Sequence, residues 1–337
     1  MNIWFSPYQL HTASRVNSQV KSFTRQGALL RVRFADGRIG YSDICPFPEM
    51  GDSPLELILK DIKKQGLRGM AERSLYCAKI DAAARAANQS LYVPAVKIKN
   101  HYSINDILNF DLKQCEELQK LGYTEYKVKL GAKLVAESAK LLELTKSLSS
   151  SCKLRLDFNL SLNRPAFCDW FESHQSWLRP YADFFEDPFA YQANDWQEVS
   201  QKYGIRLALD FAADPILTEA KGAQIIVIKP ARQNAEKIVN WFLSSDKNSA
   251  KHSDKKFVFT HYMDFAVGQM FAFAEAQRLS LLLGDRLVSC GLQLHQAFTG
   301  LALQNEIQYH GPFITPPAGI GIGFDQPLAD MSWTEIN

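Results

Sequence analysis

Tyr126-Lys127-Val128-Lys129-Leu130 sets two lysines two residues apart at the end of a run that reads as a buried strand. Side chains at i and i+2 of a strand share a face, so Lys127 and Lys129 point into one interior while Val128 points away. Taken alone, such a pair reads as the solvated face of an edge strand, because lysines are seldom fully buried. Only a reason elsewhere in the chain to hold two amines inside changes that reading.

The bulk composition narrows the classes. The chain has 337 residues, 46% hydrophobic and 22% charged, the make-up of an ordinary globular protein with room for two domains. Lys plus Arg number 38 against 36 Asp plus Glu, a formal charge of +2. That balance gives no electrostatic case for a nucleic-acid or anionic-membrane partner and leaves a small-molecule partner open. Cys45, Cys77, Cys115, Cys152, Cys168 and Cys290 show no C-x-x-C or metal-ligand spacing, which suits free thiols in a reducing compartment. No segment approaches the ~18 apolar residues of a membrane span, and residues 1–15 carry no signal-peptide pattern. A cytoplasmic protein is expected; its oligomeric state is not fixed by these features.

Outward from the lysine pair, the first third of the chain has a different texture. Ile3–Leu10 and Ala28–Tyr41 alternate as strands, with Leu30, Val32 and Phe34 on one face, Arg31 and Arg33 on the other, and a hairpin turn at Asp36-Gly37. His11–Gln26 between them is weakly patterned and reads as a loop, one that could move. Ser53-Pro54-Leu55-Glu56 has the form of a capping box opening a helix with Leu55, Leu59 and Ile62 on one stripe. A second helix begins near Met70 and is alanine-dense through Ala87, which favours close packing. Residues 1–90 are therefore expected to form an α+β domain.

From Leu91 the pattern becomes strand then helix, repeated. Strand candidates end at Lys99, Leu130, Phe158, Asp187, Phe211, Lys229, Thr260 and, weakly, near Gln293. Helical stretches between them include 105–121, 134–148, 165–178, 236–243 and 268–283. The expected fold class is α/β, a TIM-like (β/α)7β barrel over 91–311 with an N-terminal α+β capping domain, to which 312–337 returns. An open doubly wound sheet is the alternative, since periodicity alone does not show closure.

Functional groups of such barrels gather at the C-terminal strand ends. Those ends carry Lys127 and Lys129, then Asp157, Glu186 with Asp187, Asp210, and Lys229. One carboxylate there is commonly a helix cap or an ion-pair partner. Asp157, Glu186 and Asp210 on three successive strands converge, and their mutual repulsion and desolvation require a cation. An all-oxygen donor set favours a hard ion, Mg²⁺ before Mn²⁺ or Ca²⁺. Lys129 and Lys229 would then approach a bound substrate from opposite sides. Burial and nearby positive charge lower a lysine pKa, so a neutral amine could take a proton from carbon while the metal stabilises the enediolate.

These residues together resemble the enolase superfamily, a group cited for a lysine or histidine base beside Mg²⁺. The intervals from Lys129 to Asp157, Glu186, Asp210 and Lys229 are 28, 29, 24 and 19 residues, similar to the branch with lysines on the second and sixth strands. Within it the likeness is to the o-succinylbenzoate synthase family of menaquinone biosynthesis. Asp43-Ile44-Cys45-Pro46-Phe47-Pro48 resembles that family's acidic-Ile-x-Pro-Leu-Pro motif, Leu154-Arg155-Leu156-Asp157-Phe158-Asn159 its third strand, and Phe185-Glu186-Asp187-Pro188 its fourth. The resemblance implies that Lys129 and Lys229 are the acid/base pair, with Lys127 in support, and that Asp157, Glu186 and Asp210 hold Mg²⁺. It implies a hydro-lyase that performs syn dehydration of a small carboxylate substrate. Arg155, Asn159, Thr260, Tyr262 and Asp264 are the expected substrate contacts.

The chain also departs from the family. Phe211 stands where another acid is usual, and Thr260-His261-Tyr262-Met263-Asp264 replaces a serine-rich turn followed by Glu, which bears on specificity. His261 could be a rival base; an imidazole with its hydrogen bonds met, or one touching substrate, is the expectation. A lysine–lysine racemase, dipeptide epimerase or cycloisomerase would use the same residues, and a non-catalytic binding barrel would have lost one. Gly319-Ile320-Gly321-Ile322-Gly323 has no helix of a phosphate loop after it and reads as a tight return to the first domain. Aromatics such as Trp4, Phe23 and Phe47 read as core, with a few able to cap the pocket.

Overall fold

The computed structural model describes residues 1–11, 24–64, 67, 69–210, 220–245, 255–294, 298 and 302–336. Most of the expected loop 11–26 lies outside them, as do Phe23 and Phe211.

The alternating pattern near the N-terminus folds as an antiparallel meander of β1 (Asn2–His11), β2 (Thr24–Arg33) and β3 (Ile39–Ile44). β1 pairs with β2 from Asn2 opposite Arg33 to His11 opposite Thr24, so the regular structure extends into both ends of the expected loop. Ala28, Leu30 and Val32 are buried with Ile3 and Ile44, and Gly37 takes the positive φ that the Asp36-Gly37 turn needs.

The helix α1 (Leu55–Asp61) forms, but the capping box does not. Pro54, in extended conformation, takes the cap position and leaves Ser53 one residue outside; no side chain caps the helix. The Pro54 carbonyl accepts from the amides of Leu57 and Ile58 instead. The alanine-dense α2 (Gly69–Ala86) lies so close on β3 that a Cβ at Gly40 would stand 1.9 Å from the Ala78 carbonyl oxygen.

Strand and helix then alternate: β4 (Tyr102–Ile104), α3 (Gln114–Lys120), β5 (Glu125–Lys129), α4 (Leu134–Ser147), β6 (Lys153–Asp157), α5 (Arg164–Leu178) and β7 (Ala182–Glu186). They continue as α6 (Ala193–Tyr203), β8 (Leu207–Leu209), β9 (Ile225–Ile228), α7 (Ala235–Ser245), β10 (Lys256–Phe259) and α8 (Ala266–Leu283). The helix expected over 105–121 is only its last turns. Upstream, the Asp106 carboxylate accepts from the amides of Leu108 and Asn109, and Asp111 from Lys113, so side chains close turns in competition with helix.

β4 to β10 form one parallel sheet in sequence order. Its two edges are joined by single bridges from 287–291: Leu287 to Phe257, Gly291 to Thr260, and Cys290 to Asn100. The weak eighth strand expected near Gln293 is this seam, and the strand expected to end at Lys99 is not formed there: the first barrel strand, β4, begins at Tyr102, after a single bridge at Asn100. This is the expected (β/α) barrel with an N-terminal antiparallel sheet domain. Even residues of β5 such as Tyr126 and Val128 are fully buried under the helices. Phe184, Ala208, Ile225, Val227 and Val258 form a separate apolar cluster across β7 to β10, a plug beneath the C-terminal ends.

After β11 (Gln308–His310) and β12 (Phe313–Thr315), the glycine-rich stretch turns back to α2. Gly319, Gly321 and Gly323 all have positive φ, and Ile322 donates its amide to Asp81 at 2.7 Å, as expected of a tight return. α9 (Asp325–Ala329) follows, and β13 (Thr334–Glu335) pairs antiparallel with β1.

Candidate active site

Parallel register sets Lys129 opposite Asp157 and Asp157 opposite Glu186, so three strands present side chains at one level. One level deeper, Lys127 is opposite Arg155, and Arg155 opposite Phe184. The Lys127 ammonium lies 3.0 Å from Asp157 Oδ2 and 2.7 Å from Glu186 Oε1. Lys229, directly after β9, is ion-paired with Asp210, directly after β8. The lysine pair is therefore not a solvated edge: its side chains face carboxylates inside the barrel.

The two amines titrate in opposite directions. Burial works against a charge on Lys127, but Asp157, Glu186 and Asp210 outweigh it and raise its pKa, so it is an ammonium. Burial also acts on Lys129, where Asp157 opposes it and the charges of Lys127 and Lys229 add to it; the result is a pKa down to about 8. Asp157 resists burial because Lys127 and Lys129 hold it below the ordinary carboxylate value. Glu186 is pushed up to about 7 by burial, with Asp157 and Asp210 adding to the rise and Lys127 opposing it.

Burial, with the neighbouring carboxylates, thus works against a charge on Glu186 more than Lys127 supports it. The all-oxygen donor set of Asp157, Glu186 and Asp210 fits a hard divalent cation, which would favour their charged forms. As the side chains stand, no three ligating groups among the described residues are close enough to hold a metal together. Lys127 lies between two of the carboxylates and Lys229 sits on the third.

Local backbone explains how these groups are aimed. Beyond Lys129, the Glu137 carboxylate accepts from the amides of Gly131 at 2.7 Å and Lys133 at 3.0 Å, which ties the β5–α4 loop down. Asn159 donates from its amide and its side chain to Asp157 Oδ1, at 3.0 and 2.9 Å. Asn159, Leu160 and Asp187 all have positive φ, and Leu160 donates to the Asp187 carbonyl at 2.8 Å. Strained residues immediately after two of the acid-bearing strands are typical of functional sites.

The expected substrate contacts divide. Asn159 stands beside Asp157. Thr260 is buried, its hydroxyl without a hydrogen-bond partner among the described residues. Tyr262 turns its ring toward Lys229, 5.9 Å away, while its hydroxyl donates to Asp52 of the cap at 2.9 Å. Asp264 lies against the cap beside Asp43. Arg155 is deeper and 1% exposed, bonded to Asp183 at 2.9 Å, to His101 Nδ1 at 3.0 Å and to the Ser289 carbonyl. His261 accepts from the Met263 amide at 2.9 Å, and burial together with Lys129, Lys229 and Lys127 holds it neutral. It is an imidazole with a met hydrogen bond, as expected.

Sequence reasoning missed the residues by which the cap grips the barrel. Arg25 reaches the Tyr262 and Cys45 carbonyls at 2.7 Å each and the Met263 carbonyl, stacked 3.6 Å over Phe47. Asp52 accepts from the Phe47 amide at 2.8 Å and from Tyr262, and pairs with Arg232 at 3.2 Å. Nothing in the pattern of β2 marks Arg25; Asp43 was visible only within its motif.

A cap of mixed structure over a (β/α) barrel, with lysines and carboxylates at successive strand ends, is the arrangement that the resemblance to the enolase superfamily led us to expect. Residues 3–84 match the family described as O-succinylbenzoate synthase, N-terminal domain. The whole chain is 28% identical to the o-succinylbenzoate synthase of Bdellovibrio bacteriovorus, over 100% of this chain and 99% of the relative. Among solved structures, it resembles the N-succinyl Arg/Lys racemase of Bacillus cereus with TM-score 0.78 and 15% identity, covering 100% of this chain and 99% of that one. It also resembles a dipeptide epimerase of Cytophaga hutchinsonii complexed with Mg and the dipeptide D-Ala-L-Val, with TM-score 0.77 and 14% identity over 100% and 99% of the two chains. The resemblance read from the sequence is borne out. No helix among the described residues is long and apolar enough to cross a membrane.

Proposed function

We propose that this protein is an o-succinylbenzoate synthase of menaquinone biosynthesis, dehydrating 2-succinyl-6-hydroxy-2,4-cyclohexadiene-1-carboxylate to 2-succinylbenzoate. The observation that carries this reading is the split of the lysine pair, one amine locked as a cation and its neighbour lowered to about 8 opposite Asp157. The full-length likeness to a curated synthase supports the substrate. In this reading residues 1–90 and 312–337 are the cap and 91–311 the catalytic barrel, working in the cytoplasm with all six cysteines as free thiols.

Asp157, Glu186 and Asp210 would hold Mg²⁺, or Mn²⁺ in its place, which when bound supplies positive charge to a substrate carboxylate and to the charge that develops beside it. Lys129, as the free amine, takes the proton α to the carboxylate. The ammonium so formed is on the same face as the departing hydroxyl and returns the proton to it, completing a syn elimination of water driven by ring aromatisation. Lys229, ion-paired with Asp210, would face the ring from the other side and favour its electron-rich face by a cation–π contact. Lys127 keeps Asp157 and Glu186 apart and lowers Lys129. Asn159 fixes the Asp157 carboxylate, and Thr260 offers the substrate an unused hydroxyl.

A second reading, a lysine–lysine racemase or epimerase, is favoured by the racemase and the epimerase among the structural neighbours. One experiment separates them: purified protein with Mg²⁺ is given the cyclohexadiene acid and, separately, N-succinyl amino acids and dipeptides. Formation of the aromatic product, lost in Lys129→Ala, is expected. No turnover of the diene alongside Lys129-dependent racemisation would replace the first reading by the second, and full activity of Lys129→Ala would sink both.

A further inference from the structure

Two carboxylates, Asp264 buried and Asp43 half-buried, come close where the cap touches the barrel, away from the lysines. Asp43 ends β3 but for one residue, and Asp264 lies in the loop between β10 and α8. Gly268, in the first turn of α8, brings them together: a Cβ there would stand 2.3 Å from Asp264 Oδ2 and 2.7 Å from Asp43 Oδ2. Asp264 is 2% exposed.

Their hydrogen bonds are unequal. Asp43 accepts from Tyr8 at 2.6 Å on one oxygen, from the Phe265 amide at 2.9 Å on the other, and from the Gly268 amide. Each of these three partners is a donor, so Asp43 fits the ionised form at the N-terminus of an 18-residue helix. Asp264 Oδ1 accepts from the Tyr262 amide at 3.0 Å, but its Oδ2 is buried without a hydrogen-bond partner. A buried carboxylate oxygen without a partner, next to an ionised carboxylate, is satisfied if it carries a proton.

We infer that Asp43 and Asp264 share one proton, held on Asp264 Oδ2 and donated to Asp43, and that this bond latches the cap to the loop bearing His261 and Tyr262. Among the described groups facing the pair, the Arg25 guanidinium carries charge, and it opposes the rise at Asp264. Tyr8 from β1 is held protonated by burial and by Asp43. Cys45, beyond β3, is pushed up to about 12 by burial and so stays a thiol, as does Cys77 of α2, raised by burial. Ser74 of α2 donates to the Asp43 carbonyl, not its carboxylate. Arg25 of β2 spends its terminal nitrogens on the carbonyls of Tyr262, Met263, Cys45 and Pro46. Burial raises both carboxyls above their ordinary value, Asp43 with the Asp264 charge adding to the rise and Asp264 against the opposing charge of Arg25; the hydrogen bonds then place the proton, since Asp264 Oδ2 is the oxygen left without a donor.

A carboxyl pKa raised on folding contributes stability at low pH that is lost as pH rises through the folded value. The latch is therefore closed in mild acid and weakens above about pH 7. Asn at 264 would donate permanently from its amide, and Asn at 43 would aim an amide at three donors or lose one acceptor.

The test is urea unfolding of the full chain and its variants between about pH 5 and about pH 8, with infrared spectra of the folded protein over the same range. Asp264→Asn is expected to fold, to match wild type in acid, and to unfold at a higher urea concentration than wild type at alkaline pH. Asp43→Asn is expected to unfold earlier than Asp264→Asn at every pH. A protonated-carboxyl stretch should be present in wild type in mild acid and be missing in Asp264→Asn. The inference is overturned if Asp264→Asn fails to fold or keeps the wild-type pH dependence, if the two variants are equally stable, or if wild type lacks the carboxyl band.

Discussion

Lys127 and Glu186 meet at 2.7 Å across the strand that separates them, with Asp157 of that strand 3.0 Å from the same ammonium. Replacing Lys127 by Met leaves two carboxylates buried with one fewer cation between them. Breaking a buried pair costs about 3 kcal/mol or more. Urea unfolding of Lys127→Met without added metal should show that loss, and Mg²⁺ should recover part of it by binding the carboxylates.

The base limb of catalysis should lie near Lys129's own titration. Its amine must be neutral to accept a proton, and its pKa is down to about 8. Activity should therefore rise with pH and level off above about 8, falling about tenfold per pH unit below. Because the Lys127 charge helps lower Lys129, the limb in Lys127→Met should move to higher pH. A pH–rate profile of kcat/KM for both proteins checks the direction.

Asp52 holds the Phe47 amide and the Tyr262 hydroxyl, one from each side of the cap–barrel junction. Asp52→Ala should cost about 1–2 kcal/mol from those two hydrogen bonds. The partly exposed pair with Arg232 adds little. Thermal unfolding reads the first effect; a raised KM is expected as well, because the Tyr262 ring near Lys229 loses its anchor.

The Arg73–Glu275 pair, 2.8 Å apart and 5% and 7% exposed, joins α2 of the cap to α8 of the barrel. Arg73→Met should lower stability by about 3 kcal/mol, since it strands a buried carboxylate whose second oxygen already lacks a partner. Adding Glu275→Leu should restore much of the loss. A double-mutant cycle by chemical denaturation measures the coupling.

The carboxylate ladder was legible because a charge closing an apolar run is conspicuous, and strand order then places Asp157, Glu186 and Asp210 side by side. The barrel's length and rhythm were legible for the same reason of repetition. What separates Lys127 from Lys129 was not, because it depends on which oxygens each amine meets after folding. Arg155 was expected as a substrate contact from the likeness of its strand to the family's third, yet it lies one level below Asp157, where His101 and Asp183 engage it. Ser53 failed as a cap because Pro54 shifted the helix start by a residue. Arg25, Asp52 and the approach of Asp43 and Asp264 around Gly268 involve segments far apart in sequence, and local pattern carries no information about such meetings.

The pairing of β13 with β1, continued by the Ile336 amide on the Ile3 carbonyl at 2.9 Å, also orders events during synthesis. Residues 334–336 leave the ribosome only after the whole barrel has been made. The first sheet must therefore wait, one edge incomplete, while the barrel assembles. Its outermost stitch is the last that can close, so the sheet keeps an open edge until residues 334–336 are free.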